Sequence, residues 1–182
     1  TDGLLGFKLT EEYSYVADPW ELAYKMVNAA NNFIYYVDKL SENLFGENRK
    51  TEMLAEAKFA RAFGHAFLLR RYGYFWDINS PLGPIIRLEP SSISNNSMGR
   101  SSVKESYEKI FEDLDYAIQY GPRFYSKYRS CATTAKAFKA DILMNRGEEG
   151  DYAEAIRLAN EVIASDEFGL EDKYEDIFTN GY

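Results

Sequence analysis

Aromatic and polar residues between Tyr74 and Asn79 give this sequence its clearest chemical potential. Trp76 and Tyr74 offer ring faces, and Asp77 and Asn79 add a carboxylate and an amide within the same short stretch. Such rings pack against the apolar C–H faces of a sugar, while carboxylates and amides hydrogen-bond with its hydroxyls. We therefore predict a ligand-binding surface with Trp76 as the stacking platform and Tyr74 beside it. Asp77 and Asn79 are its predicted hydrogen-bonding partners.

Two tyrosine residues nearer the N-terminus are weaker candidates. Tyr13 and Tyr15 lie in a segment without helical periodicity, where either ring is a possible addition to a ligand site. Trp20 is interpreted as the hydrophobic start of the first helix rather than as a ligand platform. The alternative for residues 74–79 is structural, since aromatic side chains at this position also suit the closing of one end of a helical bundle.

No catalytic or metal-binding arrangement stands out. The chain has one histidine, His65, and one cysteine, Cys131, whereas zinc and iron sites need several such ligands. We interpret His65 as a core residue of a nearly apolar helix and Cys131 as an inert thiol. Acidic pairs such as Glu148–Glu149 and Glu171–Asp172 fit a solvated face better than a glycosidase pair held across a cleft. We therefore predict a protein that is not an enzyme and has no metal or cofactor.

Composition excludes other classes of function. The 182 residues are 46% hydrophobic and 16% aromatic, so one domain with a sizeable core is expected rather than disorder. The net charge of -8 argues against nucleic-acid binding, which needs a basic face. No apolar run is long enough to predict a transmembrane helix. The chain begins at Thr1 without methionine, from which we expect a processed or truncated start.

Apolar periodicity predicts an all-α fold of five main helices. Asp18 and Pro19 are typical of an N-cap and a first helical residue, and Gly73 is typical of a helix end. Ser102 and Glu105 form the pattern of a capping box. Counted from the N-cap residue where one is predicted, the helices cover residues 18–40, 51–72, 102–120, 134–146 and 151–163, with Gly150-Asp151 as the turn and N-cap of the last.

The same periodicity predicts which residues face the core. On the first helix these are Trp20, Ala23, Val27, Ala30, Ile34 and Val37; on the fifth they are Tyr152, Ala155, Ile156, Ala159, Val162 and Ile163. Arg61, on the central second helix, is expected to pair with Asp113 or Asp115, because a buried charge without a partner is costly.

The segments between the helices carry their own predictions. Residues 1–17 have no helical period and are expected to be irregular. Residues 73–100 form a long excursion, and a loop of this length is usually functional or disordered. Residues 168–178 are expected to fold back onto the bundle through Leu170, Tyr174, Ile177 and Phe178.

The last two predicted helices resemble a tetratricopeptide repeat, a helix–turn–helix unit about 34 residues long. Gly150-Asp151-Tyr152 lies where that repeat has its turn, and Ala155 where it has its close-packing alanine. The predicted fold is therefore a tetratricopeptide-like helical bundle of antiparallel helix pairs with one long irregular excursion. A repeat of this kind specifies a scaffold and no particular chemistry.

Three segments together resemble the SusD/RagB family. They are Glu56 to Ala62 continuing to Tyr72-Gly73, Arg100 to Ile118, and Gly150 to Phe178, which ends in Phe-x-Leu and Tyr-x-x-Ile-Phe. Trp20 with Asn31 fits the first helix of the family more loosely. Each motif alone is weak, but their order and spacing over residues 20–178 make the resemblance specific.

The resemblance implies a bacterial outer-membrane lipoprotein, of the Bacteroidetes type, exposed on the cell surface. It implies capture of oligosaccharides, or of peptides in some members, in partnership with a SusC-like TonB-dependent transporter. The lipid-bearing cysteine of the family is absent, and family members are more than twice as long. We therefore expect residues 1–182 to be a single helical domain from the N-terminal part of a longer protein. The rival class is a helical-repeat scaffold that binds a peptide or protein partner.

Overall fold

All regular secondary structure in the described part of the chain is helical. The computed structural model describes residues 10, 13–170 and 172–175, and within them five α-helices and no strands are found. The helices are α1 (Ser14–Asp38), α2 (Arg49–Tyr72), α3 (Val103–Tyr120), α4 (Ala132–Arg146) and α5 (Asp151–Ala164). Short 3-10 turns lie at Glu42–Leu44 and Ile93–Asn95. The predicted all-α fold is confirmed.

Each helix packs against the next one along the chain. At one end of the α1–α2 pair, the Lys50 ammonium donates to the carbonyl oxygen of Asp38 at 3.0 Å. At the other end, the Tyr72 hydroxyl donates to the carbonyl oxygen of Val16 at 2.7 Å. The start of α2 therefore lies beside the end of α1, and the end of α2 lies beside the start of α1. The two helices are antiparallel.

Helix α2 is central, as its apolar girth predicts. Small residues of α2 let its neighbours approach closely: a Cβ atom added at Gly64 would lie 2.7 Å from Val27 Cγ2 on α1. The opposite side of α2 joins the main core with α3 and α4. The buried members of that core are Ala62, Ala66, Leu69, Val103, Tyr107, Ile110, Leu114 and Ile142.

A buried ion pair links α2 to α3. Arg61 and Asp113 form two charge-assisted hydrogen bonds, of 2.7 Å from Nε and 2.8 Å from Nη2. Arg61 Nη1 also donates to Asn31 Oδ1 at 2.8 Å and to the Leu88 carbonyl oxygen at 3.1 Å. The expected pairing of Arg61 is confirmed with Asp113; Asp115 is exposed and pairs instead with Lys139.

The excursion between α2 and α3 is ordered by hydrogen bonds from the buried Asn31 and the half-buried Tyr24 of α1. The Asn31 amide donates to the carbonyl oxygens of Arg87 and Glu89 at 2.9 and 3.1 Å. The Tyr24 hydroxyl donates to the carbonyl oxygen of Ile85 at 3.1 Å and accepts from its N–H at 3.0 Å. The backbone of a segment without secondary structure is thereby satisfied, as burial requires.

The start of the first helix differs from the prediction. Helix α1 begins at Ser14, so Asp18 is not its N-cap and Pro19 lies inside it. The N–H groups of Val16 and Ala17 both bond to the carbonyl oxygen of Tyr13, which starts the helix one turn early. Proline near a helix start removes only one hydrogen bond, so the preference for the first position is overridden here.

Helix α5 also departs from its predicted N-terminus. Gly150 precedes the helix with φ of 86°, and Asp151 is the first helical residue rather than the cap. The buried Asp151 carboxylate accepts hydrogen bonds from Arg146 Nε at 2.7 Å and from the Glu148 N–H at 2.9 Å. Asp151 therefore fixes the turn between α4 and α5 through this ion pair.

Part of the predicted core is exposed. On α5 only Ala155 and Leu158 are buried among its apolar residues, whereas Tyr152, Ile156 and Ile163 are 59%, 63% and 73% exposed. In the tail, Leu170 is fully exposed, so the predicted packing against the bundle is wrong for this residue. The predictions for Ile177 and Phe178 lie outside the described residues. Periodicity places residues on one face of a helix but does not supply what covers that face.

Candidate ligand-binding surface

The predicted surface lies in two tight turns that follow α2. The Gly73 N–H closes the last turn of the helix on the Leu69 carbonyl oxygen at 2.9 Å, and a Cβ atom at Gly73 would lie 2.9 Å from that oxygen. The Asp77 N–H then bonds to the Tyr74 carbonyl oxygen at 2.9 Å, and the Ser80 N–H bonds to that of Asp77 at 3.0 Å. Successive turns of this kind point neighbouring side chains in different directions.

The aromatic cluster is divided between core and solvent. Phe75 and Ile78 are partly buried and pack against the main hydrophobic core. The Tyr107 hydroxyl on α3 donates to the Phe75 carbonyl oxygen at 2.9 Å and fixes the backbone between them. Tyr74 and Trp76, in contrast, are 48% and 64% exposed. The structural interpretation therefore holds for Phe75 and Ile78, while Tyr74 and Trp76 remain available to a ligand.

The exposed rings form one surface, which we call the Tyr74–Trp76 platform. Their ring centroids are 5.1 Å apart with an interplanar angle of 20°, a stacked arrangement. The Phe75 ring meets Trp76 edge to face, at 5.2 Å and 85°. An offset stack and an edge-to-face contact are the preferred geometries of aromatic pairs. The platform is therefore held in place before any ligand arrives.

The two predicted polar partners lie beside the platform. Asp77 and Asn79 are both exposed, and Asp77 Oδ1 accepts a hydrogen bond from the Asn79 N–H at 3.1 Å. That bond fixes the carboxylate while leaving further lone pairs for a hydroxyl donor, because an ionised carboxylate has about four acceptor positions. Tyr74, Trp76, Asp77 and Asn79 are thus all exposed on the same pair of turns.

Tyr15 lies at the same end of the bundle but apart from the platform. It is 39% exposed in the first turn of α1, and its ring centroid is 5.4 Å from that of Tyr13. The hydrogen bond from Tyr72 to Val16 brings this turn to the end of α2, two residues before Tyr74. In the described residues the ring contact of Tyr15 is with Tyr13, not with Tyr74 or Trp76.

Sequence reasoning missed an apolar cavity next to these elements. Trp20 is 44% exposed, which corrects its predicted place in the buried stripe of the first helix. It lines an open cavity of about 570 Å³ together with Val16, Ala17, Glu21 and Tyr72. Helix α1 begins at Ser14, before the predicted cap, and Trp20 consequently sits in its second turn rather than at its start. The apolar periodicity did not predict a helix start at residue 14, so the position of Trp20 beside this cavity was not foreseen.

Arg100 makes backbone contacts around the candidate surface that sequence reasoning did not predict. Its guanidinium donates to the carbonyl oxygens of Gly83 at 2.7 Å, Tyr72 at 2.8 Å and Leu82 at 2.9 Å. These bonds tie the end of α2 to the later part of the excursion, on either side of residues 74–79. Arg100 therefore helps to fix the backbone of the loop that carries the platform.

His65 is a hydrogen-bonded core residue, as predicted, and Cys131 is also buried. His65 is fully buried, and its Nε2 accepts a hydrogen bond from the Arg87 N–H at 3.2 Å. Burial, with a smaller contribution from the Arg61 charge, lowers the pKa of His65 to about 3. Cys131 is buried at the start of α4, where its sulfur accepts from the Thr134 N–H at 3.4 Å.

The described residues offer neither a metal site nor a membrane-spanning helix. No group of three or more histidine, cysteine or acidic side chains is arranged to hold a metal ion there. The helices of the same residues include none with the length and apolar character needed to cross a membrane.

Comparison with protein families gives one clear match. A SusD-like family, described as "Starch-binding associating with outer membrane", matches residues 8–143. A SusD-like protein of Bacteroides ovatus is 26% identical over 182 aligned residues, which cover 94% of this chain. SusD-like protein P2 of Formosa agariphila is 27% identical over 174 residues, again 94% of this chain.

Solved structures agree with this match. A crystal structure with xylogluco-oligosaccharide superposes with a TM-score of 0.78 at 26% identity, covering 97% of this chain and 35% of the other. The present chain spans only 32% of the length of the two curated relatives. The similarity thus covers nearly all of this chain and about a third of each relative.

Proposed function

This chain belongs to the SusD/RagB family, and from that premise we propose that the protein captures oligosaccharides at the bacterial cell surface. The ligand would pass unchanged to a SusC-like TonB-dependent transporter. The site of capture on this chain is the Tyr74–Trp76 platform with Asp77 and Asn79. The observation that carries the proposal is an exposed, stacked aromatic pair on an ordered loop.

Binding on the platform follows from its geometry. A pyranose or furanose ring laid on Trp76 covers the exposed ring face and removes apolar surface from water on both sides. Hydroxyls at the rim of the sugar donate to the Asp77 carboxylate and exchange hydrogen bonds with the Asn79 amide. The affinity is expected to be modest, because each new hydrogen bond replaces one that the sugar already makes with water.

The same premise covers location and domain organisation. The family description associates its members with the outer membrane, and both named relatives come from Bacteroidetes. We infer a lipid-anchored protein of that membrane, with its binding surface outside the cell. Residues 1–182 would be a single helical domain that forms the N-terminal part of a longer protein. The proposed role involves no chemical step, so the protein would act without catalysis, metal or cofactor.

A second candidate function is a helical-repeat scaffold that binds a peptide. The exposed apolar residues Tyr152, Ile156 and Ile163 on α5 favour it, because an amphipathic peptide helix packs on such a face. In that case Tyr152→Ala would weaken binding of a peptide while Trp76→Ala would not. Gene neighbours also separate the two functions, since a neighbouring gene for a TonB-dependent transporter favours oligosaccharide capture.

The test of the platform is calorimetry of the intact protein against a panel of oligosaccharides that includes fragments of starch and xyloglucan. We expect Trp76→Ala to weaken binding on the order of tenfold, about 1.4 kcal/mol. Tyr128→Ala is the matched control, because Tyr128 is 78% exposed and lies outside the site. Wild-type affinity in a folded Trp76→Ala variant would reject the platform as the binding site.

A further inference from the structure

A second groove lies at the opposite end of α1. One wall carries Tyr35 and Tyr36, which are 46% and 64% exposed and meet edge to face at 5.2 Å and 86°. The other wall is the part of the excursion from Glu89 to Asn95, and the open cavity between the walls measures about 460 Å³. The Lys39 ammonium lies 3.3 Å from the centroid of the Tyr35 ring, and this cation–π contact holds Tyr35 in place.

The wall opposite the tyrosines is polar. Glu89, Ser91, Ser92, Ser94 and Asn95 line it. The hydroxyls of Ser92 and Ser94 are 2.9 Å apart and share one hydrogen bond. One donor and several acceptor lone pairs remain on this pair, because each hydroxyl has one donor and two acceptor positions. The groove thus sets an aromatic face against a row of hydroxyl, amide and carboxylate groups.

Helix α1 and Arg87 hold this wall rigidly. Asn28 Oδ1 accepts from the Ser91 N–H at 2.8 Å. The Arg87 guanidinium donates to the carbonyl oxygens of Asn95 and Asn96, each at 3.1 Å. Asn95 in turn bonds to the Pro90 carbonyl oxygen at 2.9 Å. A ligand entering the groove would therefore meet a preformed site, and the free-energy cost of ordering the loop on binding would be small.

Burial of apolar side chains does not explain this ordering. Ile93, at the tip of the loop, is fully exposed. The loop is fixed through its backbone and amide groups instead, and its hydroxyl-bearing side chains face the groove. An exposed segment with this many fixed hydrogen bonds and no core of its own is typical of a binding loop.

We propose that this groove is a second binding site for a neutral oligosaccharide, with Tyr36 as its stacking platform. The inference rests on the proposed oligosaccharide-binding function. An aromatic ring facing hydroxyl and amide groups suits the C–H face and hydroxyls of a sugar. Glu89 disfavours anionic sugars, and the Lys39 ammonium is engaged over the Tyr35 ring.

The two sites lie too far apart to bind one short sugar. Val16, which bonds to Tyr72 two residues before the platform begins, and Tyr36 are roughly 30 Å apart along α1 at about 1.5 Å of rise per residue. A disaccharide or trisaccharide therefore occupies one site or the other. A long polysaccharide is able to engage both, and the second contact then becomes intramolecular, which raises the overall affinity.

The experiment is calorimetry of the intact protein with a short neutral oligosaccharide chosen from the panel, in four proteins. They are the wild type, Tyr36→Ala, Trp76→Ala and the double variant, with Tyr128→Ala as control. We expect two equivalents of sugar bound by the wild type, one by each single variant and none by the double variant. In affinity gels with the matching polysaccharide, the apparent affinity of Tyr36→Ala should be at least about tenfold lower than that of the wild type.

The outcomes separate the two proposals. One equivalent in the wild type that is lost in Trp76→Ala and kept in Tyr36→Ala overturns the second site and leaves the platform standing. One equivalent that is lost only in Tyr36→Ala supports the groove and rejects the platform. Absence of binding to every member of the panel rejects both. Because Tyr36 is 64% exposed, its replacement should leave the melting temperature unchanged, which a thermal melt of each variant verifies.

Discussion

Acidification should destabilise this protein through a single buried histidine. His65 is the one histidine of the sequence, and it is fully buried between α2 and the excursion. Its Nε2 accepts from the Arg87 N–H, which requires the neutral ring, and the Arg61 guanidinium lies nearby. Burial and that positive charge lower the pKa of His65 from 6.5 in the unfolded chain to about 3 in the folded one.

The sign and size of the effect follow from proton linkage. The unfolded chain binds a proton at His65 below about pH 6.5, while the folded protein does not until the pH nears 3. The stability contributed by the neutral ring is therefore complete above pH 6.5 and is lost as the pH falls from there toward 3. The expected loss between about pH 7 and pH 5 is on the order of 2 kcal/mol.

Urea denaturation at about pH 7, 6 and 5 measures this loss, and His65→Gln is the matched control. The glutamine amide oxygen can still accept from the Arg87 N–H but has no proton to gain in this range. Carboxylates titrate lower: hydrogen bonds from Ser102 lower the pKa of Glu105, and those from Arg157 lower the pKa of Glu154. Equal losses of stability in the wild type and in His65→Gln would refute the reasoning.

Two predictions test the packing. Asp113→Asn leaves the Arg61 charge buried without its carboxylate and should cost about 3–5 kcal/mol in urea denaturation, whereas the double variant Arg61→Met with Asp113→Leu should recover much of that loss. A double variant no more stable than Asp113→Asn would contradict this account. Ala155→Phe should overpack the α4–α5 contact and cost about 1–3 kcal/mol, while the exposed control Ala159→Phe should change stability little. Equal effects of the two substitutions would show that Ala155 is not a tight contact.

Local sequence signals determined most helix positions correctly. Ser102 and Glu105 form the predicted capping box, with the Glu105 N–H bonded to the Ser102 hydroxyl at 3.1 Å. Gly73 ends α2 as predicted, because a side chain there would meet the Leu69 carbonyl oxygen. Pro19 misled the prediction of the first helix, since a proline tolerated at one position in the first turns is also tolerated at another. Cap signals thus give the existence of a helix more surely than its first residue.

Exposure could not be predicted from periodicity. The stripe on α5 contains buried Ala155 and exposed Ile156 and Ile163, although all three share one apolar face. In the candidate site, the sequence supplied a single run of aromatic and polar residues and two interpretations of it. Separation of inward Phe75 from outward Trp76 depends on the turn hydrogen bonds and on Tyr107 of α3, which lies 32 residues away in sequence. Such contacts carry no local sequence signature.

The excursion contributes to both proposed binding surfaces, and polar residues of the helices determine where its two ends lie. It leaves α2 at the Tyr74–Trp76 platform and runs along α1 to the loop that carries Ser92 and Asn95. Between these points it is held by Tyr24, His65 and Asn31, each bonded to its backbone. Asn31 is held in turn by Arg61, so the ion pair in the core also supports the second groove. Buried polar residues add little net stability, but their hydrogen bonds fix the backbone of this irregular segment against the helices. The apolar core alone would not specify that position.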